Sequence, residues 1–160
     1  MSFVLSNHLK AVFLKGNILD VDARFSQYDC LTAQRFDYNF ERTCNSKGIP
    51  FGSTTHPVVS FSLRFMDDLK VKSFFSLINS MDVAEFSFVF GVTFDENRRI
   101  SSYENAVVVR GYVVGLEQDY TYNVSSEGEF QRLLNVEFLA LDVTYAGSQS
   151  NKTLVISRKI

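Results

Sequence analysis

ENAVVVRGYVVGLEQ at residues 104–118 and QRLLNVEFLALDVTY at residues 131–145 are the two stretches that decide the fold of this chain. Both are longer than an average strand and rich in the β-branched and aromatic residues that favour strands. The polar segment between them, residues 119–130, predicts a loop. Both stretches are apolar on their two faces, whereas a strand with one wet face alternates apolar and polar residues. The pattern predicts two long strands whose second face is covered.

Shorter segments predict further strands around this pair. Several of them alternate aromatic or aliphatic side chains with polar ones, which is typical of a half-buried strand. Between the first two segments, Gly16 and Asn17 tolerate positive φ and predict a hairpin turn. The predicted strands are residues 8–15, 18–25, 34–43, 58–66, 85–94 and 153–160.

One segment, residues 68–81, has helical periodicity, because its apolar residues recur along one stripe. Asp67 or Asp68 can accept hydrogen bonds from the free amides of the first turn. The chain lacks βαβ repetition, which argues against a parallel sheet. We therefore predict a mainly β, single domain over residues 1–160, a small antiparallel β-barrel or sandwich with one flanking α-helix. Residues 147–160 can add a C-terminal extension strand.

The apolar faces of the long strands predict a contact between copies of the chain. A single helix covers only part of one sheet face, so another copy is the expected cover for the rest. A sandwich or a tightly curled barrel that covers both faces internally is the alternative. The candidate lateral contacts are Val108, Tyr112, Val114 and Phe138.

The composition excludes several classes of function. The formal net charge of −2 gives no electrostatic reason to expect a nucleic acid as partner. No stretch is long and apolar enough to predict membrane insertion. Residues 1–16 lack a basic region followed by a long apolar run, so no signal peptide is predicted. The spacing of Cys30 and Cys44 fits no zinc motif and predicts two reduced thiols, with a single disulfide as the alternative.

Candidate catalytic groups are scarce. His8 and His56 are the only histidines, and neither lies near a GxSxG-like nucleophile motif. No P-loop or GxGxxG pattern is present. The adjacent Asp67 and Asp68 point in different directions, which suits helix capping better than metal binding. The sequence therefore predicts a protein that is not an enzyme and has no cofactor or metal.

The order of these segments resembles the tube protein of bacterial type VI secretion systems, called Hcp or TssD, and especially the divergent form found in Bacteroidetes. The similarity spans most of residues 1–145, and it lies in the order of the segments rather than in one motif. The matching parts are MSF at 1–3, RFDYNFER at 35–42, the Gly48-Ile-Pro50-Phe-Gly52 loop, VVSFSLRF at 58–65 leading into the helix, YENAV at 103–107 and LNVEFLA at 134–140.

This resemblance implies a small β-barrel flanked by one helix, a fold also found in phage tail tubes. It implies a structural subunit of the inner tube, in which six copies form a ring and stacked rings carry effectors, with a spike protein and a contractile sheath as partners. It also implies a cytoplasmic protein that is secreted without a signal peptide. In the family, the loop equivalent to residues 44–57 lies between rings. The ring-stacking candidates are Lys47, Gly48, Ile49, Pro50, Phe51 and Gly52.

Two other functions stay open on the sequence. In a monomeric ligand-binding β-barrel, the 16 Phe residues would line an apolar pocket. An enzyme of unrecognised type has less support, since no nucleophile can be paired with a base.

Overall fold

The computed structural model describes residues 11–20, 25–40, 44–51, 57–64, 68–80, 82–123, 129–147 and 153–157. Within these ranges the chain forms nine strands and one α-helix. The elements are β1 (Ala11–Lys15), β2 (Leu31–Tyr38), β3 (Val58–Arg64), α1 (Asp68–Asn79), β4 (Ala84–Phe90), β5 (Thr93–Phe94), β6 (Ile100–Ser102), β7 (Asn105–Asn123), β8 (Glu129–Gly147) and β9 (Thr153–Ser157).

Six of the strands close into an antiparallel barrel. Their order is β3-β2-β1-β4-β7-β8, and β8 pairs back with β3 from Val58 opposite Leu139 to Arg64 opposite Leu133. β9 pairs with the last part of β8, and β5 pairs with β6 in a separate hairpin. The prediction of a mainly β fold with one helix is confirmed, and of the two predicted architectures the structure has the barrel.

Aromatic rings fill the interior of the barrel. Phe13 of β1 lies with its ring centroid 5.5 Å from Phe61 of β3 and 5.1 Å from Phe86 of β4. Phe88 lies 4.9 Å from Phe61. The helix adds Phe74, whose ring is 5.7 Å from both Phe13 and Phe86. These separations are those of packed aromatic pairs, so these five Phe rings form a solid core rather than the lining of an open pocket.

A second core lies outside the barrel, over the outward face of β1, of β4 and of the start of β7. On β1, Phe13 points inward while its neighbours Val12 and Leu14 point outward, as the two-residue period of a strand requires. The cover comes from the segment before β2 and from the β5–β6 hairpin. The chain thus covers this outward face itself. Partly buried members of the second core are Ile18, Phe25, Cys30, Phe94, Ile100 and Tyr103.

The helix and a long loop lie at opposite ends of the barrel. α1 joins the end of β3 to the start of β4, whereas residues 39–57 join the end of β2 to the start of β3. We call these the helix end and the loop end. The helix is confirmed over Asp68–Asn79, but Asp67 and the side chain of Asp68 lie outside the described residues.

The predicted hairpin of residues 8–15 and 18–25 is wrong in its pairing. β1 pairs with β2 and β4 instead, and residues 18–20 form a turn. The buried Ser87 explains this path, because its hydroxyl accepts a hydrogen bond from the amide of Ile18 and donates one to the carbonyl of Gly16. Residues 8–10 and 21–24 lie outside the described residues.

The predicted strand of residues 85–94 is divided by Gly91. Its φ of 66° lies in the left-handed region, which glycine adopts without strain. The divide sends Phe86 and Phe88 into the barrel core, whereas Val92 and Phe94 belong to the second core. A strict two-residue alternation would have placed all four on one face.

β7 and β8 continue together as a ribbon beyond the helix end of β3. The predicted loop of residues 119–130 is wrong at both edges, because β7 runs to Asn123 and β8 starts at Glu129. The pair contains two register shifts, which leave Leu141 of β8 and Val114 of β7 as extra residues. Such bulges bend and twist a ribbon, and here they help to curve the pair into the barrel.

Candidate assembly surfaces

A tight hairpin occupies residues 44–51 at the loop end. The Oδ1 atom of Asn45 accepts hydrogen bonds from the amides of Lys47 and Ile49, each 3.0 Å long. The amide of Gly48 donates to the carbonyl of Asn45 over 2.9 Å, and the φ of 78° at Gly48 suits a residue without Cβ. A β-bridge between Cys44 and Pro50 closes the turn. The ring-stacking candidates therefore lie on a well-defined turn.

This hairpin presents apolar side chains to solvent. All residues from 44 to 51 are exposed, and the exposed fractions of Ile49 and Phe51 are 56% and 52%. Lys47 is the only charged residue of the hairpin. Gly52 lies outside the described residues. The structure thus brings five of the six predicted stacking residues together on one projecting surface.

The predicted lateral residues separate into two environments. Phe138 lies in the barrel core with an exposed fraction of 0%, and Val108 is 4% exposed, so neither presents a surface to a neighbouring molecule. Tyr112 is half-buried and belongs to neither core. Val114, the extra residue of a bulge, is 50% exposed. Only Tyr112 and Val114 remain available for a lateral contact.

An apolar row extends from these two residues across the outer face of the barrel. Val58, Leu139 and Tyr112 are directly opposite one another on β3, β8 and β7, and Val58 is 47% exposed. Val114 lies beside them on β7, and together the four residues are the outer row. Sequence reasoning missed Val58 and Leu139, since only the pairing of β3 with β8 aligns them with Tyr112.

A polar network lies next to the outer row, towards the helix end. The hydroxyl of Ser62 donates to Oδ1 of Asn135 over 2.5 Å, and the amide group of Asn135 donates to Asp119 over 2.7 Å. Ser62 is almost fully buried, so its hydrogen bond avoids the cost of an unsatisfied buried hydroxyl. The network fixes Asn135 and marks the limit of the apolar surface.

Chemical sites are not evident in the described part of the chain. It holds no group of His, Cys, Asp and Glu arranged to bind a metal, and no disulfide joins Cys30 to Cys44. Burial, and to a lesser degree the nearby Tyr145, raises the pKa of Tyr38, which keeps this phenol neutral. His8 and His56 fall outside the described residues. None of the described helices is long and apolar enough to cross a membrane.

Solved structures of Hcp proteins share this architecture. A crystal structure of an Hcp protein superposes with a TM-score of 0.65 at 11% identity, covering 93% of this chain and 99% of that one. Hcp1 from the EAEC 042 pathovar of E. coli gives a TM-score of 0.61 at 12% identity, with 92% and 96% covered.

Hcp1 from Flavobacterium johnsoniae gives a TM-score of 0.59 at 10% identity, with 91% and 98% covered. No protein-family model and no curated protein sequence matches the chain. The resemblance inferred from the sequence is therefore confirmed in the fold, which is that of Hcp proteins over nearly the full length.

Proposed function

We propose that this chain is the structural subunit of the inner tube of a type VI secretion apparatus, in which hexameric rings stack and carry effectors. It would act without catalysis, assemble in the cytoplasm and leave the cell without a signal peptide. A spike protein and a contractile sheath would be its partners. The Hcp fold supports this role.

The outer row is the observation that carries the proposal. The barrel interior is filled by its own aromatic rings, and the outer face of β1, of β4 and of the start of β7 is covered by the second core. The chain nevertheless leaves Val58 and Val114 about half exposed on a neighbouring part of the barrel. A contiguous strip of exposed apolar side chains is typical of an interaction surface. A second copy is the partner that a ring supplies.

The two ends of the molecule support stacking. If the barrel axes run along the ring axis, a ring exposes all its loop ends on one side and all its helix ends on the other. The 44–51 hairpin would then form one stacking face, through Ile49 and Phe51. Repeating a contact between unlike faces extends a tube without limit, since such a contact does not close on itself.

Light scattering after size-exclusion chromatography tests the proposal, with negative-stain microscopy of the same fractions. We expect a species of six chains and, in concentrated samples, ring-shaped particles or tubes. A monomer at every concentration would contradict the proposal. The matched variants are Val114→Asp in the outer row and Leu69→Asp on α1, both of which change exposed apolar residues. Only Val114→Asp should reduce the six-chain species.

The alternative of a ligand-binding barrel has no observation in its favour. The predicted apolar pocket would need space where Phe13, Phe61, Phe86 and Phe88 already contact one another. Stoichiometric binding of an apolar dye by the monomer would support the ligand-binding barrel after all.

A further inference from the structure

A pocket of about 170 Å³ opens at the edge of the second core, between β1, β2 and β5. We call it the second-core pocket. A cavity of about 150 Å³ holds a benzene molecule, so this pocket has room for one apolar side chain the size of valine or leucine. Its apolar lining consists of Val12, Leu31, Val92 and Phe94.

The second-core pocket and the outer row lie at the same level of the barrel, on opposite walls. β1 and β8 are separated by two strands in either direction round the barrel, so they form opposite walls. The register is staggered round a tilted barrel. Followed through β4 and β7, Val12 leads to Ala146 of β8, and followed through β2 and β3 it leads to Leu133. The level of Val12 on β8 is the midpoint of these two, at Leu139 and Ala140, and Leu139 belongs to the outer row.

A ring brings two such walls together. With the barrel axes along the ring axis, cyclic symmetry relates neighbours by a rotation without a rise. The two contact surfaces of each subunit must then lie at one level on different walls of the barrel. The outer row and the second-core pocket meet this requirement, since one offers apolar side chains and the other an apolar recess.

Val114 is the member of the outer row that suits the pocket. Val114 and Val58 are the two most exposed members, at 50% and 47%. Of these two, only Val114 is the extra residue of a bulge and lacks a register partner on the neighbouring strand. A valine side chain is also within the size that the pocket admits.

Two exposed carboxylates lie beside Val114. Glu137 is opposite the residue that follows Val114, and Glu117 lies two positions further along β7. The nearby Arg35 pairs with Asp37 over 3.3 Å, so it does not offset their charge. This margin of the outer row is therefore negative and favours a basic neighbour.

Two exposed arginines border the second-core pocket, in the turn between β5 and β6. The amide of Gln27, a residue that lines the pocket, donates to the carbonyl of Arg98 over 2.6 Å, and Arg99 forms a β-bridge to the residue before Gln27. Asp95 and Glu96 of the same turn balance the two cations in number, but the carboxylate of Asp95 accepts hydrogen bonds from two amides of the turn. The arginines are thus the charges that the turn holds beside the pocket.

The backbone of Arg98 supports a role for its charge. Its φ of 62° lies in the left-handed region, which glycine adopts without strain. In the 44–51 hairpin, the corresponding position of the turn is Gly48. Strained backbone positions are often retained where a side chain has a function.

We infer that the second-core pocket receives Val114 of the neighbouring copy in the same ring. The two carboxylates beside Val114 then face the two arginines beside the pocket, so an apolar centre is surrounded by a charged margin, as in other protein interfaces. This inference rests on the proposed function and identifies the surface that covers the outer row. Each molecule uses its pocket once and its Val114 once, which is the heterologous contact that a ring requires.

A natural thiol in the pocket allows a direct test. Cys30 lines the pocket, and a disulfide forms only where two Cα atoms approach within about 7 Å. In a Cys44→Ser background, Val114→Cys should form a disulfide with Cys30 of another copy when a mixture of ordinary and isotope-labelled chains is mildly oxidised. Mass spectrometry identifies the linked peptides, and a non-reducing gel should show a ladder of linked chains. Leu69→Cys in the same background is the matched control, because Leu69 is exposed on α1, and it should give no link to Cys30.

Filling the pocket provides a second test. Thr32 lines the pocket and is only half-buried, so Thr32→Trp should occupy the recess and raise the concentration at which rings dissociate by about tenfold or more. Gln34→Trp is the matched control, since Gln34 is exposed on the same strand outside the pocket. Light scattering at a series of dilutions measures the dissociation, and the urea midpoints of both variants report on the fold.

Two outcomes would overturn the inference and leave the proposed function standing. Rings form, but the cysteine introduced at position 114 does not link to Cys30, or rings tolerate Thr32→Trp as well as they tolerate Gln34→Trp. Absence of rings from the wild-type chain defeats the proposed function itself, and this inference with it.

Discussion

Replacing Val114 with aspartate should abolish ring formation while leaving the fold intact. Val114 is half exposed and is the extra residue of a bulge, so it packs against neither core. A surface substitution of this kind changes the free energy of unfolding by about 1 kcal/mol or less. The monomer should therefore unfold in urea at nearly the wild-type midpoint.

Val114→Asp should reduce the free energy of the lateral contact by much more than it changes the free energy of unfolding of the monomer. Covering the exposed half of a valine contributes about 1 kcal/mol, half of the value for a fully buried side chain. A carboxylate placed unpaired in the same contact costs about 3 kcal/mol or more in lost hydration. The sum, about 4 kcal/mol, weakens each contact by about a thousandfold, and every contact of a closed ring carries the change.

Concentration-dependent size-exclusion chromatography with light scattering measures this effect. Rings of the wild-type chain should persist at dilutions where the Val114→Asp variant is monomeric. Leu69→Asp provides the comparison, because Leu69 is more exposed than Val114 but lies on α1, away from the outer row. Equal loss of rings in both variants, or no loss in either, would refute the assignment of the outer row. A large fall in the urea midpoint of Val114→Asp would instead place this residue in the core.

Three further predictions concern the fold. Arg98 adopts a φ of 62° in a turn that has the same hydrogen bonds as the turn at Gly48. Because glycine adopts this left-handed backbone without strain, Arg98→Gly should raise the free energy of unfolding by about 0.5 kcal/mol. The control Arg99→Gly should not raise it. Gly91→Ala should lower the free energy of unfolding by about 1–2 kcal/mol, because the left-handed backbone penalises any Cβ. Adding Glu104→Ala removes the side-chain atom that would lie 2.5 Å from that Cβ, and it should recover only part of the lost free energy. Phe61→Ala should cost about 3–5 kcal/mol, since its buried ring contacts four others. Urea denaturation checks all three, and a change of opposite sign in any of them contradicts its reasoning.

The helix and the longest strands were predictable because their signals are local. The helical periodicity of residues 68–81 and the dense apolar pattern of residues 104–118 can be read without knowledge of the tertiary structure. The barrel core was also accessible in part, because the two-residue period of a strand places Val107, Val109 and Val113 on one face, and all three lie in the core.

The surfaces were less predictable because they depend on register. Phe138 was a candidate for an outward contact, but β8 points it into the core. Val58 precedes an alternating run and has no distinctive pattern of its own, yet the pairing of β3 with β8 places it in the outer row. The bulge that exposes Val114 is likewise a property of two paired strands. No single segment encodes it.

The hairpin error has a related cause. Gly16 and Asn17 suit a two-residue turn between paired strands, but they equally suit a chain that leaves β1 without forming a hairpin. The buried hydroxyl of Ser87, which lies 71 positions from Gly16, stabilises the second path. A distant hydrogen-bond partner of this kind leaves no local signal.

A cryo-electron microscopy map of the assembled protein tests the central claim most directly, because it shows what lies against Val58, Tyr112, Val114 and Leu139. We predict that a neighbouring copy within the same ring covers these four side chains. A map in which they face open solvent, with the subunits joined through some other surface, would contradict the account.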